Sequence, residues 1–347
     1  MADRAFWYEM VDTATKYGRI GRLMKSARTV VEDCLGIKPG ETVTIVSDTE
    51  ISPLVYHTLS GAVTAAGGIA TIVIMEPLPH ASAEPPSVVA AAMRESDAFI
   101  NVCSRTISHT KARYVAQFEY KRRYVIMPAT TEDMLISGAA TADYKKLKEV
   151  GLKVIDVLTK GKQVRVISDY GTDVSFSIEG RPPKNVFEAR EPGSVAIFPG
   201  AEAPLGPVED TVNGTIVIDR FILEIGLVSE PVTWKVRNGK VYEITGGREA
   251  EQLKEYLSKH GDENSMYIGE FSIGLNPYAR SIGSNLEDKE VYGSVHIAIG
   301  SGVHYPPYYT AKYHSKTHID GLMLKPTVFV DGKKLVDKGE IVGAPRF

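Results

Sequence analysis

Hydrophobic and polar positions alternate along the first 160 residues in a way that predicts strands separated by helices. Apolar runs long enough for buried strands are separated by segments with helical spacing. The predicted strands are Val43–Ser47, Ile69–Met75, Ala98–Cys103 and Tyr124–Pro128, and the predicted helices are an N-terminal one ending near Gly36, then 52–66, Ser87–Glu95 and Thr110–Gln117. Such alternation predicts an α/β fold with a mostly parallel sheet.

From about Gly161 the pattern changes to short β-rich runs. The predicted strands include Gln163–Ser168, Asp173–Ile178, Ser194–Phe198 and Thr215–Leu223, and the turn pairs Asn238-Gly239 and Asp331-Gly332 each lie between two apolar runs, as in β-hairpins. One helix, from Arg248 to about Ser258, interrupts them. The sequence therefore predicts an α/β domain at residues 1–160 and a β-rich α+β domain at residues 161–347.

Composition narrows the class of protein and its partners. The chain has 347 residues, 43% of them hydrophobic and 24% charged, which are values of an ordinary globular protein. Its formal net charge of -3 provides no basic surface for nucleic acid. The N-terminus has no signal-peptide pattern, and no apolar run reaches the roughly 18 residues of a membrane span. We expect a cytoplasmic protein without nucleic-acid or membrane partners.

Several familiar sites are missing from the sequence. The G-x-G-x-x-G turn of dinucleotide-binding folds and the G-x-S-x-G elbow of serine hydrolases do not occur. Cys34 and Cys103 are far apart, so neither a disulfide framework nor a thiolate zinc site is expected. His109 follows the strand with Cys103, where ligands of open α/β sheets bind, although a solvent-facing histidine at a helix start explains its position equally well.

Candidate metal ligands occur in three segments of the last quarter of the chain. These segments contain Glu270, then His296, then the pair His318 and Asp320. In an extended strand, residues i and i+2 face the same side, so His318 and Asp320 can reach one ion. Each residue alone has an ordinary structural explanation. However, burying such groups in apolar runs costs several kcal/mol unless a partner compensates, and one cation compensates several of them. The sequence therefore predicts a catalytic site for a divalent metal.

These segments, in their order and spacing, resemble the aminopeptidase T and aminopeptidase S family of metalloaminopeptidases along most of the chain. The matching segments are Pro199–Pro204, Asn238–Val241, Gly246–Glu251, Gly269–Gly274, His296–Gly300 and His318–Asp320. The resemblance implies a homodimeric hydrolase that releases N-terminal amino acids from small peptides. It also implies two zinc, cobalt or manganese ions, with Glu270 as the bridging ligand; the implied metal ligands are Glu202, Glu270, His296, His318 and Asp320.

The catalytic residues of that family are matched less completely. Glu202 is a candidate general base as well as a candidate ligand. The family has a catalytic tyrosine seven residues beyond the histidine of the H-I-A-x-G segment, and this chain has Val303 there. His304 and Tyr305 follow directly and are further candidate catalytic residues, with Tyr305 as the candidate hydroxyl for the oxyanion. The loop is either shifted by a residue or two or built for a different substrate.

A more distant resemblance leads to a second hypothesis, a ring-cleaving dioxygenase acting on a hydroxylated aromatic or pyridine compound. The 2,5-dihydroxypyridine 5,6-dioxygenases hold one ferrous iron with two histidines and an aspartate. Their last two ligands match His318 and Asp320, but their first is a histidine where this chain has Glu270, which favours the peptidase. Iron(II) could still bind His296, His318 and Asp320. A third hypothesis is a non-catalytic protein that keeps a metal for structure.

Overall fold

The computed structural model describes residues 18–284, 286–303 and 314–343, and these residues form three sheets. One is a five-stranded parallel sheet, one a five-stranded antiparallel sheet and one an eight-stranded antiparallel sheet. An α/β part with a parallel sheet is thus followed by a β-rich part, which confirms the predicted fold class.

The elements are numbered in chain order. The strands are β1 Thr42–Asp48, β2 Ile69–Met75, β3 Ala98–Asn101, β4 Arg123–Ile126, β5 Gln163–Ile167, β6 Asp173–Ser177, β7 Val195–Ile197, β8 Asn213–Ile218, β9 Phe221–Ile222, β10 Gly226–Leu227, β11 Val232–Arg237, β12 Lys240–Thr245, β13 Ile268–Ile273, β14 Val295–Gly300, β15 His318–Met323, β16 Thr327–Val330, β17 Lys333–Asp337 and β18 Glu340–Ile341. The α-helices are α1 Pro53–Ala65, α2 Ser87–Glu95, α3 Lys111–Tyr114, α4 Glu132–Ile136, α5 Tyr144–Lys160 and α6 Arg248–His260. Helical residues 18–28 continue into a π-helical segment, Thr29–Leu35, and a second π-helical segment, Val115–Glu119, extends α3.

The parallel sheet has the strand order β2-β1-β3-β4-β7. Ser52 caps α1 by accepting a hydrogen bond from the Leu54 amide, and Pro53 begins the helix because its missing N–H is not needed in the first turn. The chain turns back into β2 through Gly67, whose φ of +84° suits glycine. Cys34 and Cys103 are both buried free thiols. Among the described residues, no helix is long and apolar enough to span a bilayer.

Two strand predictions need correction. The run Ser194–Phe198 was expected in the second domain, but it forms β7, which pairs with β4 at the edge of the parallel sheet. The run Thr215–Leu223 is two strands, β8 and β9, in different sheets. Periodicity identifies a strand but not its neighbours, and the chain returns to the first sheet after leaving it. The division into domains at residue 160 stays a prediction.

The two antiparallel sheets form the β-rich part. The eight-stranded sheet has the order β12-β11-β8-β6-β5-β16-β17-β18. Both predicted hairpins occur in it: Asn238-Gly239 joins β11 to β12 and Asp331-Gly332 joins β16 to β17, each with positive φ at both turn residues. The five-stranded sheet has the order β10-β9-β15-β14-β13, and every residue of its last three strands is buried.

Candidate metal centre

Three neighbouring antiparallel strands place four of the predicted ligands on one face of the five-stranded sheet. Glu270 on β13 pairs with Ala298 on β14, and Ala298 pairs with Asp320 on β15. Residues directly opposite one another share a face, and so do residues two apart along a strand. His296 and His318 therefore join Glu270 and Asp320 on that face.

Glu202 approaches the same face from the loop after β7. An isolated β-bridge joins Glu202 to Gly274, just beyond β13, and the Ser272 hydroxyl donates a 2.8 Å hydrogen bond to Glu202 Oε2. The side chain of His296 is 0% exposed, and Glu202 is 2% exposed. The structure thus brings together all five residues that the sequence resemblance assigned to metal binding.

The donor atoms form two groups that share Glu270. His296 Nε2 lies 3.2 Å from Glu202 Oε2 and 3.2 Å from Glu270 Oε1, whereas His318 Nε2 lies 3.0 Å from Asp320 Oδ1. Within each group, Glu202–Glu270–His296 and Glu270–His318–Asp320, one ligand atom per residue lies within 4.8 Å of the others. Either group is compact enough to surround one cation.

The surroundings of the second group fit a bound metal. His318 Nδ1 contacts the carbonyl oxygen of Ser301, which turns Nε2 toward Asp320; a ligating histidine is commonly oriented in this way. Asp320 Oδ1 is buried and, among the described residues, has no hydrogen bond of good geometry. A buried carboxylate oxygen in that position is suited to a cation, and imidazole with carboxylate suits zinc, cobalt, manganese or iron(II).

Neighbouring charges shift the pKa values of the ionisable groups in the cluster. Burial alone would lower the pKa of His318, but the carboxylates of Asp320 and Glu270 outweigh it and raise the pKa to about 9. Burial would raise the pKa of Asp320, but the Lys289 ammonium and His318 hold it well below its usual range. When no metal is bound, the His318 imidazole should therefore carry a proton at neutral pH.

Two ionisable residues beside the cluster, Lys289 and Glu290, were not predicted from the sequence. Lys289 Nζ lies 3.6 Å from Asp320 Oδ2, and the pKa of Lys289 is raised because the surrounding carboxylates outweigh burial. Burial and the charge of Glu202 raise the pKa of Glu290 well above its usual range, which favours the protonated acid. The run Glu287–Glu290 has the composition of a solvated surface, so no local signal indicates that these residues are buried.

A cavity of about 270 Å³ opens onto the cluster between the two parts of the chain. Glu202, Glu270 and Asp320 line it from the β-rich part, while His109, Tyr114 and Tyr124 line it from the α/β part. His109 is half-buried, and its ring stacks on that of His318 with 4.1 Å between the centroids. These contacts favour the explanation that His109 faces a ligand-binding site over the explanation that it faces solvent.

The remaining predicted site residues stay predictions. His304 and Tyr305 lie outside the described residues. Val303, which replaces the family tyrosine, is 8% exposed and lines the cavity, and its amide donates to the carbonyl oxygen of Gly269, next to Glu270.

Comparison with known proteins gives one family and two enzymes of the same fold. The family model NicX: 2,5-dihydroxypyridine 5,6-dioxygenase matches residues 22–343. The curated 2,5-dihydroxypyridine 5,6-dioxygenase of Pseudomonas putida KT2440 is 25% identical over 199 residues, which are 54% of this chain and 56% of the relative. The chain thus aligns with little more than half the length of that relative.

Two solved structures cover nearly the whole chain. The 2,5-dihydroxypyridine dioxygenase of P. putida KT2440 matches with a TM-score of 0.79 and 18% identity, over 93% of this chain and 98% of that one. AmpT from Thermus thermophilus matches with a TM-score of 0.69 and 16% identity, over 92% of this chain and 99% of that one. Because both sequence identities are below 20%, these matches show a shared fold only. The order of the two resemblances is therefore corrected, because the family match favours the dioxygenases and the aminopeptidase is supported by fold alone.

Proposed function

The chain belongs to the 2,5-dihydroxypyridine 5,6-dioxygenase family, and from this premise we propose that the enzyme opens the ring of a hydroxylated pyridine or related aromatic compound with molecular oxygen. One observation carries the proposal. Glu270, His318 and Asp320 form a compact donor group at the wall of a cavity that aromatic side chains also line. By the resemblance described above, Glu270 stands where the dioxygenases have a histidine, so the proposed site would hold its metal with one imidazole and two carboxylates.

Iron(II) fits this donor set and supplies open coordination positions and one-electron redox chemistry when bound. The protein's own contribution is positioning and proton transfer. His109, stacked on His318, is placed to accept the proton of a substrate hydroxyl at an imidazole nitrogen. Tyr114, Phe118 and Tyr124 form an apolar wall against which a flat ring can lie.

The second candidate function is metal-dependent release of N-terminal amino acids. It is favoured by the other donor group, because Glu202, Glu270 and His296 share Glu270 with the first group, as expected of a two-metal hydrolase. In that case Glu202 would act as a ligand or as the general base. The two functions differ in whether the reaction consumes oxygen and in the number of ions.

The deciding experiment supplies both kinds of substrate to the same metal-free protein. After anaerobic loading with iron(II), cobalt, zinc or manganese, it is given 2,5-dihydroxypyridine with an oxygen electrode, and in parallel a set of aminoacyl-anilides. We expect oxygen uptake equal to the loss of the pyridine, with iron(II) alone, and no anilide hydrolysis. Hydrolysis with zinc or cobalt and no oxygen uptake would replace this proposal by the second candidate.

Two variants sharpen the comparison. His318→Ala should lose both the metal and the oxygen uptake, whereas His57→Ala, which removes an exposed histidine of α1, should keep both. Glu270→His restores the ligand type of the resembled dioxygenases. It should therefore keep oxygen uptake, while a peptidase with Glu270 as the bridging ligand would lose its activity.

A further inference from the structure

Two cationic side chains, Arg113 and Lys184, line the cavity in addition to the metal donors. Arg113 lies on α3 and is 7% exposed, and Lys184 is half-buried in the segment between β6 and β7. The Lys184 amide donates a 2.8 Å hydrogen bond to the carbonyl oxygen of Pro204, just beyond Glu202. The wall of the cavity therefore carries positive charge as well as the buried acids of the metal centre.

The guanidinium of Arg113 is held by neutral groups. Nε and one terminal nitrogen donate to the carbonyl oxygen of Ser108, and the other terminal nitrogen donates to Gln117 Oε1 at 2.6 Å. These bonds use three of the five N–H donors, and the Tyr114 ring centroid lies 3.7 Å from the central guanidinium carbon. The hydrogen-bond partners of Arg113 among the described residues are thus uncharged, although a buried guanidinium that is not paired with an anion is costly.

The second cation lies close enough to repel the first. Burial and the positive charge of Arg113 lower the pKa of Lys184 to about 8. Lys289, the other lysine of the cavity, differs: burial would lower its pKa, but the carboxylates around Asp320 raise it. Holding the loop before α3 requires only the guanidinium, whereas a second cation beside it is unfavourable unless an anion binds to both.

We propose that Arg113 and Lys184 form a subsite for a carboxylate of the substrate, so that the preferred substrate is a hydroxylated aromatic acid. The inference rests on the proposed function, in which the metal donors and the aromatic side chains hold the ring. A carboxylate fits the two cations because its two oxygens can accept hydrogen bonds from a guanidinium and an ammonium at once. The cavity of about 270 Å³ suits a single ring with one small substituent better than a larger anionic molecule.

The test measures binding rather than turnover, so that it does not depend on the reaction. Calorimetry of the whole chain without oxygen, once with iron(II) and once without metal, compares a series of hydroxypyridine carboxylates with the matching carboxamides. Across the series the carboxylate occupies each free ring carbon in turn. The wild type should bind at least one carboxylate about 10- to 100-fold more tightly than its carboxamide, as charge-assisted hydrogen bonds would produce. The preference should persist without metal, because the ion cannot then coordinate the carboxylate.

Variants of the lysine connect this preference to the subsite. Lys184→Met should reduce the preference for the carboxylate at least about tenfold and leave the affinity for the carboxamide nearly unchanged. Lys184→Arg keeps the charge and should keep the preference. Lys153→Met, which removes an exposed lysine of α5, should behave as the wild type does. If Lys184→Met does not fold, Lys184→Gln is measured in its place with the same expectation.

Three outcomes would overturn the subsite. They are equal binding of every carboxylate and its carboxamide by the wild type, a preference that appears only with iron(II) bound, and an unchanged preference in a folded Lys184→Met variant. Turnover separates this inference from the proposed function. Oxygen uptake with 2,5-dihydroxypyridine but no carboxylate preference removes the subsite and leaves the reaction, whereas a preference that Lys184→Met abolishes, without oxygen uptake on any member of the series, leaves the subsite and removes the reaction.

Discussion

At the scale of single residues, a proton on His318 can take the place of a metal ion as the positive charge beside the carboxylates. His318 is buried beside the Asp320 and Glu270 carboxylates at the edge of the cavity, and its pKa of about 9 means that the imidazole is charged at neutral pH when no metal is present. The same nitrogen that faces Asp320 is the one a metal requires. Proton and metal therefore compete for one atom.

This competition predicts how the stability of the metal-free chain depends on pH. The folded pKa of His318 lies above the unfolded value of about 6.5, so its protonation stabilises the fold fully below that value and ceases to do so as the pH rises through about 9. The loss of unfolding free energy over that range should be about 3 kcal/mol. Urea unfolding of the metal-free protein at several pH values measures it, and His318→Gln should remove most of the dependence.

Added metal should abolish this pH dependence between about pH 6.5 and 9, because the metal-bound form carries no proton on His318. The ion must displace the proton of His318, so its affinity should fall about tenfold for each pH unit below 9. Calorimetry in buffers of different ionisation enthalpy would count the proton released per ion. His57→Ala should behave as the wild type does. Metal binding without proton release would show that His318 is not a ligand.

At the scale of secondary structure, the site depends on how closely two strand ends approach. Gly269 precedes Glu270 on β13, at a point where the pairing with β14 shifts register. A Cβ atom on Gly269 would lie 2.7 Å from the carbonyl oxygen of Gly300 and 2.8 Å from the Cα of Gly302. Because these are backbone atoms, they cannot turn aside as a side chain could.

Gly269→Ala should therefore move β13 and displace Glu270 from the other donors. We expect a loss of about 2–4 kcal/mol in unfolding free energy, as in an overpacked core, together with weaker metal binding. Denaturant unfolding and metal titration measure the two effects. Gly21→Ala is the matched control, because Gly21 lies in a helix and, among the described residues, no atom beyond its chain neighbours and its own helix backbone lies within 4 Å of the added carbon; this variant should be neutral or stabilising. Equal stability of the two variants would contradict the close-approach argument.

The sequence predicts single helices and strands better than it predicts which strands pair with one another. Apolar runs predict β1 and β2, and the turn pair Asn238-Gly239 predicts its hairpin, because these signals are local. The helix Tyr144–Lys160 is not predicted, and β7 is predicted in the wrong sheet. The ligand residues stand out because charged groups in buried strands are unusual. Lys289 does not stand out, since its burial follows from tertiary packing that no local pattern records.

At the scale of the whole molecule, both halves of the chain build the site. The β-rich half supplies the metal donors and the α/β half supplies His109 and the aromatic wall of the cavity. A single hydrophobic cluster contains residues of both halves. Val125 of β4 in the parallel sheet and Trp234 of β11 in the eight-stranded sheet both belong to it. The protein should therefore unfold as one cooperative unit, even though the sequence pattern changes from alternating strands and helices to short β-rich runs near residue 160.

This shared core leads to a prediction about cutting the chain there. A protease site introduced at Gly161, between α5 and β5, should allow cleavage without separation, because β7 stays paired with β4 across the cut through the Val125–Ala196 register. The cleaved protein should keep its metal and unfold in one transition.

Residues 161–347 expressed alone should bind metal at least about tenfold more weakly, because β7 would lose its neighbour β4 and His318 would lose the His109 ring stacked on it. Co-expression with residues 1–160 should restore the affinity. Full metal affinity and cooperative unfolding in the isolated fragment would mean instead that the β-rich half is an independent domain and that the α/β half contributes only to substrate binding.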